Sequence, residues 1–277
     1  MKTTKRNLAV FIFITLACGW FGVLLDRFLD EQSAGDTLGM GLWLITPFIV
    51  TILLRIISRD RKDLGLRLNI KKNLPWYGVA LLVYPVVTLI CFGAAFLFGQ
   101  AEFPGDHTTL FAVVASSFLL AFLKNIFEET AWRGYLTPKL LELQLNDWFL
   151  YAISGLVWAL WHLPYYLAFL PDSFFLSTSR VHFVFIATIL MLCWNVMYVE
   201  LYRLSKSIWV CVLMHAVEDA LPTLLVIEGY VVFTQHGSLV FDPTTGIIAT
   251  LLFLAVGFAL RKVRKNTDSR KMTADHS

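Results

Sequence analysis

Two adjacent glutamates and an arginine, Glu128, Glu129 and Arg133, stand at the end of an apolar run long enough to cross a membrane. Two histidines, His162 and His215, and a further acid, Asp219, follow in equally apolar surroundings. A charged side chain at bilayer depth costs about 2.5–3.5 kcal/mol on insertion scales, so such residues face a protein interior or a wet cavity and mark function. Glu129 and Arg133 lie one helical turn apart with the acid N-terminal to the base, and are expected to pair. Glu128 is turned about 100° from Glu129. The position four residues beyond it is Trp132 rather than a cation, so Glu128 is read as the acid left for other work. His215 and Asp219 repeat the one-turn spacing, which lets the carboxylate orient the imidazole and fix its tautomer. Trp158, one turn before His162, is expected to wall that site.

A carboxylate and two imidazoles, with no serine or cysteine nucleophile among them, fit the activation of water. Glu128 would take a proton from water, and His162 would hold or share it. His215 would donate to the oxyanion formed when water adds to an amide carbonyl. The reaction class is hydrolysis, with no cofactor required. Two rivals stay open. Glu128, His162, His215 and Asp219 also form a donor set suited to zinc, although no HExxH occurs. A non-catalytic immunity or regulatory protein on the same scaffold would need no such chemistry. A proton-coupled transporter is disfavoured because no internal repeat is visible. Among the other polar residues in the spans, Asn195 is read as lining the cavity, Glu200 as interfacial and Glu218 as facing another polar group or a loop. His107, His182, His236 and His276 lie in or beside loops and tails and receive no role.

These residues need helices to hold them. Of 277 residues 57% are hydrophobic and only 16% charged, whereas soluble domains carry about 25% charged residues. The fold class is therefore all-α, a polytopic membrane protein. About eight apolar stretches reach spanning length, running approximately Leu8–Leu25, Leu38–Leu54, Trp76–Phe98, Thr109–Phe127, Trp148–Leu170, Phe183–Leu201, Ile208–Ile227 and Gly246–Leu260. The first is read as a retained helix, since its apolar run is too long for a signal peptide and no cleavage site follows. No Pro, Gly or Ser-rich linker divides the chain, so one membrane domain over 1–277 is expected, with a disordered basic tail over 261–277. For the functional residues to meet, the fourth helix has to continue past Glu128 to about Leu136, before Pro138, beside a cavity open to the cytosol.

Of the 23 basic residues all but Arg27, Lys124 and Arg180 fall on one side if both termini are cytoplasmic, the arrangement the positive-inside rule favours. The plasma (inner) membrane is the expected location. The basic loop from Arg55 to Pro75 is expected to lie against anionic headgroups. Trp43, Trp76, Trp148 and Trp209 sit near helix ends and are read as interfacial anchors. Cys18, Cys91, Cys193 and Cys211 lie within spans without CxxC spacing and read as buried small residues.

The ordered set Glu128-Glu129-x-x-x-Arg133, an aromatic ahead of His162, and His215-x-x-x-Asp219 resembles the CAAX-protease and bacteriocin-processing family of intramembrane glutamic endopeptidases. The resemblance covers about 110–229, the expected catalytic core. It implies a membrane-embedded peptidase acting on a peptide or lipidated protein, with no nucleic-acid partner. It gives water activation to Glu128 with His162, and oxyanion stabilisation to His215 with Asp219. Glu129, Arg133 and Trp158 become supporting residues. Trp158 stands where the family commonly has phenylalanine. An ionised Asp219 cannot donate a hydrogen bond, so here the acid is expected to orient His215.

Overall fold

The structure is a computed structural model, which describes residues 2–29, 37–60, 62, 64–104, 107–175 and 179–274. Arg61, and the tail beyond 274 with His276, lie outside the described residues. Long runs of Leu, Ile, Val and Phe form helices because a helix satisfies every backbone polar group within one segment, which lipid demands. Seven helices among the described residues are long and apolar enough to cross a membrane: 2–26, 38–57, 70–97, 110–141, 147–169, 180–205 and 208–227. The chain is an all-α polytopic integral membrane protein.

In chain order the helices are α1 (Lys2–Asp26), α2 (Leu38–Ile57), α3 (Ile70–Leu97), α4 (Leu110–Ala131), α5 (Thr137–Leu141), α6 (Asp147–Trp161), α7 (Arg180–Ser205), α8 (Ile208–Glu218), α9 (Leu224–Ile227), α10 (Gln235–Phe241) and α11 (Ile247–Ala274). Two-residue strands β1 (Ala101–Glu102) and β2 (Val232–Phe233) pair antiparallel, Ala101 opposite Phe233. Three spans carry a π-helical turn, at Trp132–Leu136, Tyr165–Phe169 and Asp219–Thr223.

The expected eighth span needs correction. Its apolar stretch begins α11, but ends at Leu260 before Arg261, Lys262 and Arg264, too soon for α11 to join the seven. Over the described part of the basic tail, α11 continues as helix to Ala274. Within this stretch the Arg264 Nε lies 2.5 Å from the buried Glu200, and its Nη1 is 3.4 Å from Asp268 one turn on.

The chain forms two compact units, each made of two separated stretches: Met1–Leu66 with Leu123–Leu192, and Arg67–Phe122 with Cys193–Ser277. In the first unit, α1 and α2 meet at glycines. A Cβ on either Gly22 or Gly39 would run into the carbonyl oxygen of the other. Asp26 accepts from the Gly39 N–H (2.8 Å) and Thr37 caps α2 by accepting from Met40 N (3.1 Å). Arg55, in the last turn of α2, is 4% exposed. Its guanidinium donates to the carbonyls of Lys62 and Gly134 and pairs with Asp60, which also receives Lys139. Gly134 lies four residues before Pro138, whose missing N–H leaves that carbonyl without its usual helical donor. Arg55 supplies one, and the fourth span runs on through Pro138 to Leu141 rather than stopping short of it.

In the second unit, Tyr84, Trp194 and Phe253 form an aromatic core, with centroids 4.8–5.7 Å apart. Asn73 donates to the Ser205 carbonyl (3.1 Å). Glu200 is fully buried between Arg203 (3.1 Å) and Arg264, not interfacial. Beside the strands a smaller cluster of Phe92, Ala95, Ala101, Leu225 and Val231 closes the unit's end. Asp242, after α10, accepts from the Thr244 N–H and hydroxyl (both 2.7 Å) and from Thr245 N (3.2 Å).

Candidate active site

The first unit holds Glu128, Glu129, Arg133, Trp158 and His162. Glu129 and Arg133, 0% and 1% exposed, pair at 3.1 Å as their spacing predicts. The guanidinium also lies 4.6 Å from the centre of the Trp158 ring. A charge removed from water thus has an anion on one side and a π face on another, which offsets part of its desolvation.

Glu128 is 3% exposed, and it has a local cation after all. Lys124, one turn before it, places Nζ 3.4 Å from its Oε1. The sequence reading sought a partner only on the C-terminal side. The helix then widens into the π turn at Trp132–Leu136, directly after this acidic turn.

His162 ends α6. Its Nδ1 is 2.9 Å from the Trp158 carbonyl. A carbonyl oxygen only accepts, so Nδ1 carries the proton and the neutral ring presents Nε2 as its acceptor, the tautomer needed to receive a proton from elsewhere. Trp158 meets the imidazole edge-on at 6.1 Å, while its face serves Arg133. The imidazole face is covered instead by Tyr166, stacked at 5.5 Å and 19°. Trp161 stands at its edge, 4.6 Å away.

Trp43 was missed as a neighbour of this histidine. It is 4% exposed rather than interfacial, stacked on Trp161 (4.2 Å) and Tyr165 (5.0 Å), with its ring 5.8 Å from His162. Nothing in the local periodicity of α2 signals this.

The second unit holds His215, Glu218, Asp219 and Asn195. His215 is 5% exposed and meets Tyr198 edge to face at 5.7 Å. Ligand-type atoms of His215, Glu218 and Asp219 all lie within 4.8 Å of one another, the grouping among the described residues that matches a metal donor set. Glu218, given little weight from sequence, therefore belongs with His215, and it accepts from the Thr223 hydroxyl. An α-helix does not place residues five apart on one face; the π turn at Asp219–Thr223 does. Asn195, on α7, is 1% exposed.

Chemically, the first unit offers a buried carboxylate beside an ammonium and an imidazole with its acceptor nitrogen defined. The second offers an imidazole with two carboxylates.

The family described as type II CAAX prenyl endopeptidase Rce1-like has a sequence model that matches residues 109–221, a stretch containing every one of these residues except Trp43 and Thr223. No curated protein matches the chain. Through residues 109–221 the chain is similar to this Rce1-like family of type II CAAX prenyl endopeptidases.

Proposed function

We propose that the protein is an endopeptidase that hydrolyses a peptide bond near the C-terminus of a prenylated or otherwise membrane-associated substrate, using water activated by Glu128 and His162. Glu128 removes a proton from water as its oxygen bonds to the scissile carbonyl carbon. His215, oriented by Asp219, donates to the resulting oxyanion. The tetrahedral intermediate collapses as the C–N bond breaks, and the leaving amine takes back the proton held by Glu128 and His162. Glu129, Arg133 and Trp158 hold the helical turns that carry these groups. The observation that carries this reading is the family match over 109–221, which spans all three motifs. The Nδ1 bond of His162 supports it further, because it leaves Nε2 as the proton-accepting atom.

The test is hydrolysis of prenylated and unprenylated C-terminal peptides by the purified full chain, with Glu128→Ala and His162→Ala. Loss of general acid–base assistance predicts a fall in kcat of about 10²–10⁴ in each. Cleavage at the wild-type rate by both variants would exclude the mechanism.

A second reading, zinc-assisted hydrolysis, is favoured by the grouping of His215, Glu218 and Asp219. These residues offer one nitrogen and two carboxylate ligands, a set zinc accepts in catalytic sites with an open fourth position. Metal analysis of the purified protein, and of His215→Ala, separates the two readings. Stoichiometric zinc in the wild type, lost in the variant, selects the metal mechanism; full activity after exhaustive chelation rejects it.

A further inference from the structure

The end of α6 is closed by side chains. The last carbonyls of any helix lack intrahelical donors, and here Pro164 removes one more N–H from the turn that follows. The Trp158 carbonyl accepts from His162 Nδ1 (2.9 Å) and that of Ala159 from the His162 backbone N–H (3.1 Å). The Trp161 carbonyl accepts from the indole N–H of Trp43 (2.8 Å), which arrives from α2, 118 residues away in sequence. Two residues, His162 and Trp43, thus close one turn together.

Trp43 does more than donate. Its ring is held between Trp161 (4.2 Å, 17°) and Tyr165 (5.0 Å, 4°), the residues just before and three after His162. It therefore grips the chain on both sides of the histidine while standing at 72° to the imidazole. The grip is backed from α1. A Cβ on Gly19 would come within 2.7 Å of Trp43 Cδ1 and 2.6 Å of Pro164 Cγ, and the Cys18 thiol is shared between the carbonyls of Thr15 (3.1 Å) and Trp43 (3.7 Å). The Trp43 carbonyl lies four residues before Pro47, which cannot donate to it. The position of Trp43 is thereby fixed from three elements of one unit.

We propose that Trp43, which lies outside the family-matched stretch, is a positioning residue for His162. It sets the imidazole's orientation, and with it the Nδ1–H tautomer, by capping the Trp161 carbonyl and clamping Trp161 against Tyr165. The proposal rests on the reading of His162 as a proton-transfer group. A buried tryptophan can be needed for stability alone, so the test needs a readout at the imidazole itself.

The experiment is ¹⁵N NMR of the full chain in detergent micelles with ¹⁵N-labelled histidine, the His162 signals being identified by their loss in His162→Gln. Trp43→Phe keeps an aromatic plate and removes the N–H. Its neutral His162 is expected to move from the Nδ1–H tautomer to a mixture with Nε2–H. On a peptide cleaved by the wild type, kcat should fall about ten-fold with KM within about two-fold, since orientation and not substrate binding is lost. Gly19→Ala, which pushes on Pro164 and on Trp43 beside its N–H but leaves that N–H in place, should change both readouts in the same direction. It also decides the matter if Trp43→Phe does not fold. Trp148→Phe, at a 58% exposed position, should change neither. Wild-type His162 signals in a folded Trp43→Phe or Gly19→Ala protein would overturn the proposal. If the wild type cleaves no peptide, the hydrolytic reading fails alone, and the NMR signals still decide the role of Trp43.

Discussion

Lys124 holds Glu128 from one turn behind, Nζ to Oε1 3.4 Å, with the lysine 36% exposed and the glutamate 3%. Base before acid is the less favourable order along a helix. Lys124→Met should therefore change stability by less than about 1 kcal/mol. Glu128→Gln should lower kcat by about 10²–10⁴ at similar stability. Thermal melts and single-turnover hydrolysis check both; a Lys124→Met protein that melts far below the wild type would show that the pair is structural.

Glu129 and Arg133 behave differently, because neither reaches solvent. Glu129→Gln leaves the guanidinium buried without its counter-ion, a change worth about 3–5 kcal/mol of stability. Arg133→Lys keeps the charge but gives up the planar stack on Trp158, so it too should destabilise. Denaturation of the two variants against Glu129→Gln/Arg133→Met measures this; the double variant should recover part of the loss, since no lone charge remains.

The link between Arg55, Asp60 and Lys139 predicts a loss of stability in acid. Burial raises the Asp60 pKa, but hydrogen bonds from the Lys139 ammonium and the Lys62 N–H, with the charges of Lys139 and Arg55, outweigh it and hold the carboxyl below its usual range. An acid with a depressed folded-state pKa adds stability above its unfolded value, and this is lost as pH falls through the folded value. The loss belongs below about pH 4. Asp242 has the opposite sign: burial raises it, against the hydrogen bonds from Thr244 and Thr245, so its contribution is complete below its unfolded pKa and declines as pH rises through the raised one. Melting temperature against pH for Asp60→Asn and Asp242→Asn should flatten the curve at the acid end and above it, respectively. Unchanged curves would refute the assignments.

Arg264 anchors the basic half of α11 on Glu200. Truncation after Leu260 removes that anchor from the buried Glu200 and should cost several kcal/mol, of the order of 3–5. Arg264→Met should reproduce most of the loss, while Lys262→Met, at an exposed position, should not. Chemical denaturation of the three proteins distinguishes them.

What the sequence disclosed follows from distance along the chain. The Glu129–Arg133 pair and the run of spans were legible because spacing and hydropathy are local properties. The Lys124–Glu128 pair is equally local, but its base precedes its acid, the reverse of the order in Glu129–Arg133. Trp43 and Glu200 were misread for a different reason. Their partners, Trp161 and Arg264, lie far along the chain, and position near a helix end says nothing about what packs there. The π turns left traces in Pro138, Pro164 and Pro222, but a proline signals a disturbed ladder without telling which way the helix adjusts.

Each widened turn carries one residue more than the same rise of α-helix would use. Deleting a single residue within Trp132–Leu136, Tyr165–Phe169 or Asp219–Thr223 would let regular coiling resume with hardly any change in span length or oiliness. A retained surplus residue, by contrast, keeps the side chains upstream and downstream of it out of step by about 100°. These helices thus tolerate two phasings in one rod, one for the residues before the widened turn and another for those beyond it.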